Sequence, residues 1–185
     1  MKKNKKFIYN NYKMQISYSF YSKKKLKDIK KISCWVVSPG GVATTTLIDY
    51  LNNFVTTNSS IDTDLLKHRV YPPKNIDSFK VIFLKGDEKY ILNSLKNRYL
   101  GDVSFYYFQF YKMESPFNFL STIQKKEKRF LELIKIQEAN WLQKNNTFEI
   151  LSIEYEDLFE SAFEISQFLE INDSEFLSNF PKRKK

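Results

Sequence analysis

The chain has 185 residues, 42% of them apolar and 28% charged, a length and balance that suit one domain with a buried core and exclude wholesale disorder. A single cysteine, Cys34, excludes an internal disulfide and a multi-cysteine metal cluster, and a single histidine, His68, excludes a multi-histidine zinc site. The net charge of +9 belongs to the ends: residues 1–31 carry +10 and residues 181–185 carry +4, which leaves −5 on the body, 32–180.

Residues 1–31 hold eleven lysines and one acid, Asp28. They read as a basic arm, solvated or docking to nucleic acid, anionic lipid or another polyanion. They lack the apolar core of a secretory signal. No stretch of the chain reaches the roughly 18 apolar residues that cross a bilayer. With one thiol, the expected setting is reducing and cytoplasmic.

Ile32–Val37 is a short apolar run that predicts a buried strand. Ser38-Pro39-Gly40-Gly41 breaks it and uses half of the four glycines. Thr44–Phe54 then predicts a helix with Leu47, Ile48, Leu51 and Val55 on one face. Asn58–Asp64 is polar and loop-like, and Leu65-Leu66 suggests a strand end. Tyr71-Pro72-Pro73 cannot lie inside a helix. Lys80–Leu84 is a nearly continuous apolar run suited to a parallel sheet. Gly86-Asp87 ends it, and Glu88–Arg98 predicts a helix.

Residues 101–119 crowd eight aromatics, among them Phe105, Tyr106, Tyr107 and Phe108. They suit a core cover, a substrate wall or a partner face. Leu120–Leu142 predicts a long helix, Thr147–Ile153 a third strand, Tyr155–Leu169 a helix and Asp173–Phe180 a short last one capped by Asn172 or Asp173. Strands alternating with helices predict an α/β domain with a mostly parallel central sheet flanked by helices. Ligands of such sheets sit beyond the carboxyl ends of the strands.

The turn after Val37 lies at such an end. Pro39, Gly40, Gly41, Val42, Ala43, Thr44, Thr45 and Thr46 run from strand to helix. Glycines let successive N–H groups face inward, and a helix N-terminus adds about half a positive charge. The expected product is an anion cradle to which Thr44 and Thr45 add hydroxyl donors. The Walker A pattern is not met, because its lysine is absent and Ala43 stands near its last glycine. A tight turn with no ligand is the plain alternative.

This loop resembles the 5′-phosphosulfate loop of the sulfotransferase family, G-P-x-K-x-G-T-T-x-L in the carbohydrate branch. Pro39, Thr44, Thr45 and Leu47 match. The family lysine falls on Gly41 and the family glycine on Ala43. Lys67-His68, ahead of Pro72-Pro73, resembles the family's K-x-H-x-P segment. Lys80–Ser94 resembles the region that holds the 3′-phosphate, with Ser94 on the family serine and Gly86 on the family arginine. Ile153–Leu158, followed by Phe168-Leu169, resembles the C-terminal Y-E-D-L…F-L segment. The likeness spans about residues 32–180.

The resemblance implies a P-loop domain that transfers a sulfuryl group from 3′-phosphoadenosine 5′-phosphosulfate to an acceptor hydroxyl, on a saccharide by analogy with the family, without a metal. It implies that the loop holds the phosphosulfate, Ser94 the 3′-phosphate and His68 the acceptor proton. Arg98, one turn beyond Ser94, is the candidate to replace the charge missing at Gly86. Lys67 and Lys85 are the candidates to replace the loop lysine. A lone histidine also has a surface or capping role open to it. Two other readings stand: a P-loop nucleotide kinase or hydrolase, with Asp87 as its strand-end acid, and a non-catalytic module that binds a nucleotide or polyanion.

Overall fold

The computed structural model describes residues 32–61, 66–72, 80–98, 123–143 and 148–183. The basic arm and the aromatic stretch 101–119 lie outside the described residues. In chain order the elements are β1 (Cys34–Val37), α1 (Thr44–Leu51), β2 (Lys80–Lys85), α2 (Glu88–Arg98), α3 (Ile123–Trp141), β3 (Glu149–Glu154), a 3-10 turn (Leu158–Glu160), α4 (Ala162–Leu169) and α5 (Ser174–Ser178).

The three strands form one parallel sheet in the order β1-β2-β3. The fold is therefore α/β. Strands β1 and β2 are buried along nearly their whole length, as their unbroken apolar runs require. Successive side chains leave a strand on opposite faces, so Val36, Ile82 and Leu84 join one core. Trp35, Val37, Val81 and Phe83 join another with Leu66 and Trp141. Strand β3 is more exposed and alternates.

The outer edge of β1 is also occupied. Thr57 bridges Cys34 in parallel, and the Thr56 carbonyl accepts from the N–H groups of Ser33 and Cys34 at 2.8 and 3.2 Å. The buried Asn58 amide then imitates a strand neighbour. Its Oδ1 accepts from Val36 N at 2.7 Å and its Nδ2 donates to Val36 O at 3.0 Å. After α1 the chain thus passes to one side of β1, and β2 lies on the other. That reversal is a topological switch point, the place where open parallel sheets bind their ligands, beyond the carboxyl ends of the strands.

Two helices depart from the expected bounds. Helix α1 stops at Leu51, because Asn52 Oδ1 accepts from both the N–H and the hydroxyl of Thr57, at 3.2 and 2.7 Å, and draws the chain into a turn. Tyr155–Leu169 is not one helix: a turn and the 3-10 segment precede α4. Glu156 and Glu160 repel at i,i+4, and Ser161 Oγ donates back to Asp157 O at 2.9 Å. Leu66 lies in a turn rather than a strand end. Asp173 is the cap of α5, its carboxylate accepting from Glu175 N at 2.8 Å. In the basic tail, the Arg183 guanidinium lies over the Tyr155 ring, 5.4 Å from its centre.

Cys34 is fully buried, and burial pushes its thiol from 9.0 up to about 12, against smaller lowering effects of the Ile82 backbone and Lys80. Below pH 9 both folded and unfolded chains keep this proton. Between those two values only the folded chain keeps it, so stability falls as pH rises, by at most about 1.4 kcal/mol per pH unit. Urea unfolding of the native protein and Cys34→Ala at pH 8, 9 and 10 measures this. The native slope is expected to be the steeper, and equal slopes would place the thiol in solvent.

Candidate functional site

Three residues in the turn after β1 have left-handed backbone: Gly40 with φ 97°, Gly41 with φ 75° and Ala43 with φ 54°. Only glycine takes this conformation freely, and an L-residue there costs about 1–2 kcal/mol. Ala43 therefore holds a backbone shape that glycine takes more freely. It is the N-cap of α1 and supplies no capping side chain, and α1 has no acid in its first turn. Among the described residues, the N–H groups of Gly41 through Thr46 find no acceptor. The positive end of α1 is thus offset by none of its own carboxylates.

Ser38 ties this loop together. Its Oγ accepts from Gly40 N at 3.0 Å and shares a proton with Thr44 Oγ1 at 2.6 Å. One N–H of the expected cradle and the Thr44 hydroxyl are therefore engaged inside the loop. The Ser38 N–H donates to Lys67 O at 2.9 Å, which lays residues 66–69 against the end of β1. The Ser38 carbonyl accepts from His68 Nδ1 at 3.0 Å and from Gln137 Nε2 at 3.2 Å. A carbonyl can only accept, so His68 carries a proton on Nδ1.

Lys67 and His68 are both buried, at 7% and 5% exposure. The Lys67 ammonium donates to Thr45 Oγ1 at 2.8 Å and to Ser60 O at 2.5 Å. A cation thus stands at the first turn of α1, delivered from the neighbouring segment rather than from position 41. A side chain at position 41 is disfavoured by its backbone, at φ 75°. A Cβ there would lie 3.4 Å from both Cβ and Oγ of Ser94, over a backbone already left-handed. The same contact brings Ser94 to the loop. Gly86 is committed by packing, since a Cβ on it would meet Val42 Cγ1 at 2.8 Å. Gly86 is thus required by the packing of the loop, and Gly41 is favoured by its left-handed backbone.

Lys85 faces elsewhere. It pairs with Glu154 at 2.9 Å and Glu138 at 3.6 Å, and the hydrogen bond to Glu154 leads the effects that raise its pKa. It helps to line a cavity of about 380 Å³ beyond the ends of β2 and β3, together with Pro39, Gly86, Asp87, Glu88, Lys89, Glu138 and Glu154. Four carboxylates against two lysines make that cavity a poor receptor for phosphate. Asp87 caps α2, its Oδ1 accepting from Tyr90 N at 2.8 Å. Arg98 belongs to the last turn of α2, and its side chain lies outside the described residues. Among the described residues, no group of three His, Cys, Asp or Glu side chains could hold a metal, and no helix is long and apolar enough to cross a membrane.

The structure therefore gathers the loop, Lys67, His68 and Ser94, and engages Lys85 with Glu154 and Glu138 instead. It adds Ser38, Asn58 and Gln137, which the sequence reading did not select. Gln137 is fully buried, and its Nε2 also donates to Arg69 O at 3.0 Å, beside Trp141 Nε1 at 2.7 Å. The signal for it is helical spacing: Phe130, Ile134, Gln137 and Trp141 share one stripe of α3. Comparisons with protein-family models, curated proteins and solved structures give no match for this chain.

Proposed function

We propose that the chain is a sulfotransferase-like enzyme of the P-loop, three-layer class that takes its sulfuryl group from 3′-phosphoadenosine 5′-phosphosulfate. The observation that carries this reading is the Lys67 ammonium 2.8 Å from Thr45 Oγ1, at the open N-terminus of α1. It restores next to the loop the charge that Gly41 lacks. Ser94 against Gly41 adds a hydroxyl beside the loop, in keeping with the phosphate role the resemblance gives it. His68, oriented by the Ser38 carbonyl, supports proton acceptance.

In the reaction the acceptor oxygen attacks sulfur, and the bond from sulfur to the bridging phosphate oxygen breaks. The hydroxyl proton passes to His68 Nε2. The leaving phosphate oxygen takes up the electron pair, and Lys67 with the loop N–H groups neutralises it. Positioning and charge stabilisation account for catalysis of this kind. A saccharide hydroxyl in a cytoplasmic setting is the proposed acceptor.

Calorimetric titration with 3′-phosphoadenosine 5′-phosphate and with ATP plus magnesium tests the donor. The bisphosphate is expected to bind selectively, and Ser94→Ala to weaken it by about tenfold, the loss of one charged hydrogen bond. Magnesium-dependent binding of ATP alone points instead to a kinase or hydrolase. Failure of both ligands to bind leaves a non-catalytic module.

A further inference from the structure

The C-terminal unit carries a charge that the proposed activity does not use. Residues 145–181 contain nine acids and neither lysine nor arginine. Of these acids, Glu154 pairs with Lys85 and Glu170 with Lys80. The other seven, Glu156, Asp157, Glu160 and Glu164 among them, form no ion pair with a described residue. On the same unit α4 and α5 enclose an open groove of about 750 Å³ that includes Phe163, Ile171, Asp173 and Leu177. Phe163 is 61% exposed and Leu177 46%. The lining combines the apolar Phe163, Ile171 and Leu177 with the acids Glu170 and Asp173 among neutral polar residues, on a unit of negative charge, which favours a ligand that is both basic and apolar.

We infer that this groove is the docking site for the chain's own residues 1–31. Three observations favour that occupant. The first is charge, since the eleven lysines of this segment complement the acids of the C-terminal unit that pair with no described residue. The second is side-chain chemistry, since Phe7, Ile8, Tyr9, Tyr18, Phe20 and Tyr21 interleave with those lysines.

The third is the point of attachment. The described chain starts at Ile32, and Cys34 sits in register with Lys80. Lys80 Nζ bonds Glu170 on the groove rim at 2.5 Å and lies 5.7 Å from the centre of the Phe168 ring. The segment therefore joins the fold one strand and one side chain from the groove, and a 31-residue chain spans up to about 100 Å. Covalent attachment gives it an effective concentration in the millimolar range, an advantage no free partner has. The basic arm and the acidic unit neutralise each other, in place of the arm serving an external polyanion.

Zero-length carbodiimide cross-linking of the full-length protein tests this, because it joins lysine amines only to carboxylates in contact. Peptide mapping is expected to find links from lysines of 1–31 to Glu160, Glu164, Asp173 or Glu175, within the monomer band. Raising salt from about 50 to about 500 mM is expected to lower their yield several-fold. Phe163→Ser with Leu177→Ser, both at exposed positions that leave the core intact, is expected to lower it similarly at low salt. Links confined to a dimer band mean that a second copy supplies the arm, and they overturn the inference. So do links spread over Glu88, Glu127 and Glu132, or a yield that the double substitution leaves unchanged.

Discussion

Trp141→Ala is expected to lower the unfolding free energy by about 3–5 kcal/mol. Trp141 is fully buried. It meets Trp35 edge-on with ring centres 6.3 Å apart and Phe148 at 5.7 Å. Removing it opens a cavity against β1, which a rigid sheet cannot close. A second loss is polar. Trp141 Nε1 and Gln137 Nε2 both donate to Arg69 O, and they hold residues 66–70 against α3. Trp141→Phe keeps most of the packing and removes this donor, for an expected loss nearer 1–2 kcal/mol, within the range of one buried hydrogen bond and a small void. Guanidinium unfolding followed by circular dichroism gives both values. A cost for the alanine variant below about 1 kcal/mol would contradict the packing described here.

The two buried strands are legible in the sequence because their apolar runs are continuous and bounded by glycine turns. The site at their ends is legible in part. The turn from Ser38 to Ala43 is recognisable by its glycines, and Lys67-His68 by its place before a proline pair and a strand. Local sequence does not show which cation reaches the loop. That depends on the Ser38–Lys67 backbone bond, which joins residues far apart in the chain. Lys85 looks equally suitable as a letter, yet the strand it ends points it at Glu154 and Glu138. Gly86 stands where the resemblance would put an arginine, and only the 2.8 Å approach of Val42 shows that a side chain there has no space. Polar residues in the core are the hardest to read. Asn58 reads as loop and serves as a strand neighbour, and Gln137 is a polar letter on an apolar stripe. Their roles arise from backbone groups that need partners, a requirement set by tertiary structure.

Under the proposed sulfuryl transfer, Lys67 and His68 are expected to fail in different ways, although they are adjacent and similarly buried. His68→Asn retains an amide N–H that can donate to the Ser38 carbonyl, but it cannot take a proton at pH 7. Affinity for 3′-phosphoadenosine 5′-phosphate is expected to stay within about twofold of native, while turnover falls by about 10²–10⁴, the usual worth of a general base. Lys67→Met keeps the aliphatic stem and removes the charge beside Thr45. It is expected to weaken the bisphosphate and also to slow turnover by about 10²–10³, because the same cation meets the donor and the leaving phosphate. Turnover is read as release of the bisphosphate from the donor in the presence of pooled saccharide acceptors, and affinity by calorimetry. The contrast between the variants is the informative quantity. Two buried residues acting only as packing would lose stability together and leave the ratio of turnover to affinity unchanged. Native turnover in His68→Asn would assign the base elsewhere, and native affinity in Lys67→Met would move the phosphates away from the first turn of α1.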